Sequence, residues 1–373
     1  MDLSAEDALR INVLLAGPIE AVRIDESSMT LFALSEKGEA RVKLNPNCRD
    51  ESYLRRVREA LSSHVLGSPG GYPVYLKRWT RMGQTRHGML ESLLLLGEPE
   101  AVAAVVNASG IDCEIARRAW WASQSAENAR CMLRQKAVAE GEMGSMLADF
   151  LVEFLPFEEE AKDVIASVRL VLQPGLISTE VRQKIWEKGK HKNAYYVGFL
   201  HGTPDDLPDK PEPHPGWEQA RAKLEDLCAS DNPYAIQICR LLSAEGQGFL
   251  GTVETVLEKP SNQDVVVELL QAISAYFGTL RMDRHRYDDM EAILRGIDKD
   301  LEAYHERGSA LGDVLATLPE LEQQLRAMLV LSNVDEPLVN PIFSRTDAIG
   351  SVMRKKLKPV SEPLQEQINI LRK

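Results

Sequence analysis

The chain changes its hydrophobic period once, and that change limits what it can become. Before about residue 80 the apolar positions alternate in short runs: AVRID (21–25), MTLFALS (29–35) and EARVKLN (39–45), separated by DESS and EKG turns. Alternation places successive side chains on opposite faces of a strand, so the three runs are expected to form an antiparallel meander. From Met89 onward nearly every segment repeats its apolar residues at helical spacing, with connections of a few residues that each contain Gly, Pro, Ser or Asp. Short loops between amphipathic helices make antiparallel neighbours. The switch falls at Met82–Gly83 and predicts an α+β fold, a small N-terminal α+β domain followed by a mainly α-helical array.

The small domain, residues 1–84, is expected to run β-β-β-α-β. Its helix occupies Asp50 to Gly67, with Leu54, Val57, Leu61 and Val65 as the buried stripe and Asp50 as N-cap, and PVYLKRWT (73–80) supplies the last strand. The array divides into 88–201 and 217–335 around GTPDDLPDKPEPHPG (202–216), a proline-rich stretch that cannot be helical and reads as an exposed loop. Residues 336–373 form a basic C-terminal tail, with seven basic and three acidic residues from Arg345 to Lys373. LGEPEAVAAVV followed by EIARRAWW has the texture of a HEAT-type helix pair, with Arg117 where such repeats commonly hold an arginine. Residues 231–257 echo it.

At 373 residues the chain has room for two or three cores. Its apolar runs, such as Leu93 to Leu96, fall far short of the ~20 residues a membrane span needs. The acidic start, MDLSAEDALR, shows no secretory pattern, so a cytoplasmic location without membrane insertion is expected. Five cysteines (Cys48, Cys113, Cys131, Cys228, Cys239) include no CxxC pair and no histidine at metal spacing, which predicts reduced thiols and no metal site. No nucleophile elbow, P-loop, zinc-protease or kinase signature is present, so no catalytic residue and no cofactor is assigned. EGQGFLG (245–251) has close glycines but follows a helix, and reads as a helix–helix turn.

Charge is uneven. Residues 1–90 hold 13 Lys and Arg against 11 Asp and Glu, and the remainder holds 31 against 45. Within the basic part, residues 60–90 contain no carboxylate, and PVYLKRWTRMGQTRHG (73–88) gathers Lys77, Arg78, Trp79, Arg81 and Arg86. Cations beside an indole suit a phosphate or an acidic protein surface, and equally suit a solvated strand end whose aromatic residues pack inward. Lys77, Arg78 and Arg81 are expected at the seam between the small domain and the array, facing acidic helices or an acidic partner. Cys113 follows Asp112 at a helix start, where unpaired N–H groups favour a thiolate, and is the one candidate reactive thiol; Cys131, Cys228 and Cys239 read as core. In WEKGKHKNAYYVGFLHG (186–202), Tyr195, Tyr196 and Phe199 are expected in the core, lysines at a helix end, and His191 and His201 on the surface.

YPVYLKRWTRMGQ, ESLLLLGEPEAVAAVV and ARRAWW, together with the length, resemble the DsrS family, soluble proteins associated with the reverse dissimilatory sulfite reductase system of sulfur-oxidising bacteria. The resemblance implies a cytoplasmic accessory protein of sulfur oxidation, with no known cofactor, no active-site residues to carry over, and protein partners of that reductase system. Joined to the helical array, it predicts a non-catalytic interaction scaffold. The alternatives are a nucleic-acid-binding post-transcriptional regulator that uses residues 77–87, and a thiol-based sulfur-handling protein.

Overall fold

A computed structural model describes residues 3–67, 87–281, 287–304, 309–345 and 348–373. They form two compact units, Met1–Phe154 and Leu155–Lys373. The fourth predicted strand, PVYLKRWT, lies outside the described residues, as does the Met82–Gly83 junction.

The first unit opens with a helix, α1 (Ala5–Leu15), whose N-cap Ser4 accepts a hydrogen bond from Asp7 N at 3.2 Å. Strands β1 (Ile19–Asp25), β2 (Thr30–Ser35) and β3 (Gly38–Lys43) follow as an antiparallel sheet in that order. The DESS turn is built by Asp25, whose Oδ1 accepts from Ser27 N at 3.0 Å and Ser27 Oγ at 2.7 Å while Oδ2 accepts from Ser28 Oγ at 2.6 Å. These donors, those of Ser28 foremost, lower the Asp25 carboxyl to about 2. Gly38 takes φ of 110°, where glycine alone is unstrained, and Ser35 pairs with it across a two-residue loop.

Helix α2 (Asp50–Leu66) starts one residue earlier than its expected cap, since Asp50 already lies in the first turn and Arg49 is the N-cap. It ends as expected at Gly67, in the left-handed conformation. One face of the sheet contributes Val22, Leu31, Ala33 and Val42 to a core with Ile11 and Leu15 of α1 and Tyr53, Leu54, Val57 and Leu61 of α2. Helices α3 (His87–Leu93), α4 (Pro99–Val106), α5 (Cys113–Ala122), α6 (Ala126–Leu133), α7 (Lys136–Ala139) and α8 (Glu142–Phe154) follow among the described residues. Leu93, Leu94 and Leu96 are buried beside the sheet edge, where Leu94 O accepts from Val22 N at 2.8 Å. Alternation thus decides both sides of the sheet, because α5 packs on β1 opposite the α1 and α2 core.

The second unit has helices and no strand among its described residues: α9 (Ala161–Val171), α10 (Thr179–Lys188), α11 (Ala194–Gly202), α12 (Trp217–Lys223), α13 (Glu225–Ala229), α14 (Pro233–Leu242), α15 (Ala244–Glu258), α16 (Gln263–Tyr276), α17 (Met290–Tyr304), α18 (Ala310–Thr317), α19 (Glu322–Ser332), α20 (Asn340–Phe343) and α21 (Gly350–Arg372). Residues 203–216 have no helix, as the prolines require. Within α11, Tyr195, Tyr196 and Phe199 are buried as expected. Two readings from the sequence are corrected. EGQGFLG lies inside α15, because Ser243 caps that helix and the glycines continue it. The C-terminal stretch is a packed helix: Met353, Leu357, Val360, Leu364, Ile368 and Leu371 form a buried stripe that packs α21 on α19 and α15, and Arg354, Lys355, Lys356 and Lys358 lie between those positions.

Candidate functional site

Lys77, Arg78, Trp79, Arg81 and Arg86 lie outside the described residues. Cys113 is placed at the first turn of α5, where Asp112 caps the helix by accepting from Ile115 N at 2.9 Å. Its Sγ donates to Ala137 O at 3.3 Å and fills the space left by Gly141, where a Cβ would come within 2.1 Å of the sulfur. The thiol is used for packing against the α7–α8 turn.

Arg117 and its neighbours join α5 to the sheet. Arg117 pairs with Glu20 at 2.9 Å and Glu114 at 2.6 Å, and Arg118 pairs with Glu114 at 3.0 Å and Glu20 at 3.4 Å. The Arg117 bonds hold the Glu114 carboxyl below its ordinary range. The adjacent tryptophans separate as a helical turn demands: Trp120 is buried, edge-on to Phe150 at 4.8 Å, while Trp121 Nε1 donates to Glu39 at 3.1 Å and its ring lies 5.0 Å from the Arg23 guanidinium.

On the opposite side of the sheet is an apolar groove that α1 makes with β2 and β3. Leu9 and Val13 of α1 are 65% and 68% exposed. With Leu14, Ile19, Ala33 and Val42 they line a cavity of about 640 Å³, rimmed by Arg10, Lys37, Arg41 and Lys43 with Glu36. α1 carries two apolar stripes: Ile11 and Leu15 face the core, and Leu9 and Val13 face outward. The Ser-Ala-Glu-Asp start was the sequence signal for this helix, and its second stripe was the signal for the groove.

In the second unit, glycines of α15 admit the proline-rich segment. Gly248 approaches Asp209 O, to which a Cβ would come within 3.1 Å. A cleft of about 490 Å³ lies there among Trp186, Tyr196, Lys210, Gly251, Thr255 and Arg372. Gln247 secures the C-terminal helix from this position by donating to Leu241 O at 3.1 Å and Leu371 O at 3.2 Å. His201 is not a surface residue: its side chain is 10% exposed and its Nε2 lies 3.0 Å from Glu268 O and 3.2 Å from Glu268 Oε2. The inward face of α11 carries it there. Cys228 and Cys239 are not core either; both are part-exposed in a cleft beside Trp217 and Arg221.

Among the described residues no group of three or more His, Cys, Asp or Glu side chains is arranged to hold a metal ion, and no helix is long and apolar enough to cross a membrane. No protein-family model, curated protein or solved structure matches this chain.

Proposed function

We propose that this chain is a non-catalytic, cytoplasmic accessory protein of sulfur oxidation that acts by holding another protein, a scaffold of the kind the DsrS resemblance implies. The α1 groove carries the proposal. Outward leucine and valine side chains on a short helix, above an apolar floor, expose area that is costly to leave in water and gains about 25 cal/mol per Å² when covered. Four cations against one glutamate on the rim select a partner segment whose apolar side chains are flanked by carboxylates. A HEAT-like construction of the array is supported by two helix pairs, α4 with α5 and α14 with α15, each opened by a proline in its first turn (Pro99 and Pro233). Stacked pairs provide the extended surfaces that binding proteins use.

The test is a calorimetric titration of purified dissimilatory sulfite reductase of the reverse type with the wild-type chain and with the Leu9→Glu/Val13→Glu variant. Binding by the wild type that weakens at least about tenfold in the variant, with its circular dichroism unchanged, supports the proposal. Equal binding by both removes the groove from it. No binding by the wild type removes the reductase as partner.

A further inference from the structure

Cys228 and Cys239 lie against each other, with their sulfurs 3.8 Å apart. Cys228 sits near the end of α13, a five-residue helix with no buried residue. The chain then reverses at Asp231, which has φ of 59°, and Asn232 starts α14 by accepting from Tyr234 N at 3.0 Å and Ala235 N at 3.1 Å. Asn232 also donates to Ala310 O at 2.7 Å, which ties the turn to α18. Reversal lays α13 back on α14, where Cys239 follows the fully buried Ile238 and precedes Leu241. One thiol is therefore carried by a helix set firmly in the core and the other by a lightly anchored one. Both line an open cleft of about 590 Å³ with Trp217, Arg221, Glu225 and Ser243. The other three thiols have different neighbours: Cys48 meets Arg56 at 3.5 Å, Cys113 meets Ala137 O, and Cys131 meets Asn107 Oδ1 at 3.3 Å.

We propose that Cys228 and Cys239 form a redox site that closes to an intramolecular disulfide when a low-molecular-weight disulfide enters the cleft. A bond of about 2.05 Å requires the sulfurs to approach by somewhat under 2 Å, which side-chain rotation and a small shift of α13 supply. The Cys228 thiolate attacks one sulfur of the small disulfide, forming a mixed disulfide and releasing one small thiolate. Cys239 then loses its proton to solvent and attacks the Cys228 sulfur, and the second small thiolate leaves. In sum one small disulfide is reduced to two thiols, and the protein dithiol is oxidised by the same two electrons. Burial, with Cys228 adding to it, pushes the Cys239 thiol up to about 12 against the opposing charge of Arg221, so Cys239 is the poorer first nucleophile. Cys228, carried by a helix with no buried residue, attacks first.

Native, full-length protein is incubated with oxidised glutathione, its remaining thiols are alkylated, and peptides are mapped by mass spectrometry. The expected product links Cys228 to Cys239, leaves Cys48, Cys113 and Cys131 alkylated, and reverts with dithiothreitol. The Cys239→Ser variant accumulates a glutathione adduct on Cys228, whereas Cys228→Ser leaves Cys239 mostly unmodified. Five alkylated thiols after oxidation, a bridge between any other pair, or a 228–239 link that forms only in denaturant overturns the site. An adduct on Cys239 that accumulates in Cys228→Ser as fast as the converse overturns the order of attack.

Discussion

In the first unit α5 meets the sheet through charge: Arg117 and Arg118 share Glu20 and Glu114, and Trp121 reaches Glu39. In the second unit two helix contacts depend instead on a missing side chain, as the Gly141 contact with Cys113 does in the first. At Gly198 of α11 a Cβ would lie 2.6 Å from Val168 of α9, and at Gly246 of α15 it would lie 2.3 Å from the carbonyls of Arg240 and Leu241. The contrast teaches which kind of contact is the sensitive one. Half-exposed ion pairs are screened and can be solvated when broken, so they contribute little each. A glycine contact has no such alternative, because the added atom must displace backbone or a packed valine.

The largest effect should come from Gly246→Ala. We expect about 3 kcal/mol of destabilisation, read as a lower urea midpoint and as faster hydrogen exchange in peptides of α14 and α15. Gly198→Ala should follow closely, since the Val168 side chain can shift a little where a carbonyl cannot. A loss below that of the ion-pair variants described below would break the contrast.

Next is Tyr53→Phe, which probes a buried polar knot of the first unit. The Tyr53 hydroxyl donates to Asp7, whose other partner is Asn45 N at 2.8 Å, and both side chains are fully buried. Burial and the Asp7 bond together raise the tyrosine's pKa. Removing the hydroxyl leaves a buried carboxylate short of a donor and should cost about 2 kcal/mol. Exchange protection should fall in α1 and α2 and remain unchanged in residues 155–373.

Smaller still is Arg117→Ala. With its side chain 44% exposed, we expect under about 1 kcal/mol, shrinking further in molar salt. A salt-independent loss would show that packing of the guanidinium stem, and not charge, joins α5 to the sheet.

The smallest effect is acidic. The His201 bond holds Glu268 below the ordinary glutamate range, against the opposing effect of burial. A depressed folded pKa gives stability that is present above the unfolded glutamate value and is lost as pH falls through the folded one. Glu268→Gln should therefore flatten the acid limb of unfolding in the second unit and leave that of the first unit, where Asp25 titrates at about 2, unchanged.

Local chemistry determined a good deal by itself. Alternation in 21–45, the Asp25 and Gly38 turns, the left-handed stop at Gly67 and the prolines of 202–216 all act within a few residues, so period and turn chemistry sufficed to read them. The same holds for the separation of Trp120 from Trp121, which helical geometry alone requires. Three features depended on contacts between distant segments. Cys228 and Cys239, eleven positions apart on separate helices, become neighbours only because the Asp231 turn folds α13 onto α14. His201 is drawn inward by Glu268, 67 residues away in sequence. The glycines of EGQGFLG continue a helix because the 208–211 segment and the C-terminal helix pack against them and replace the burial their own side chains cannot provide. A single sequence records which surfaces are apolar and where the chain turns, but which surfaces meet is settled by the sum of many weak contacts, and only the folded chain carries out that sum.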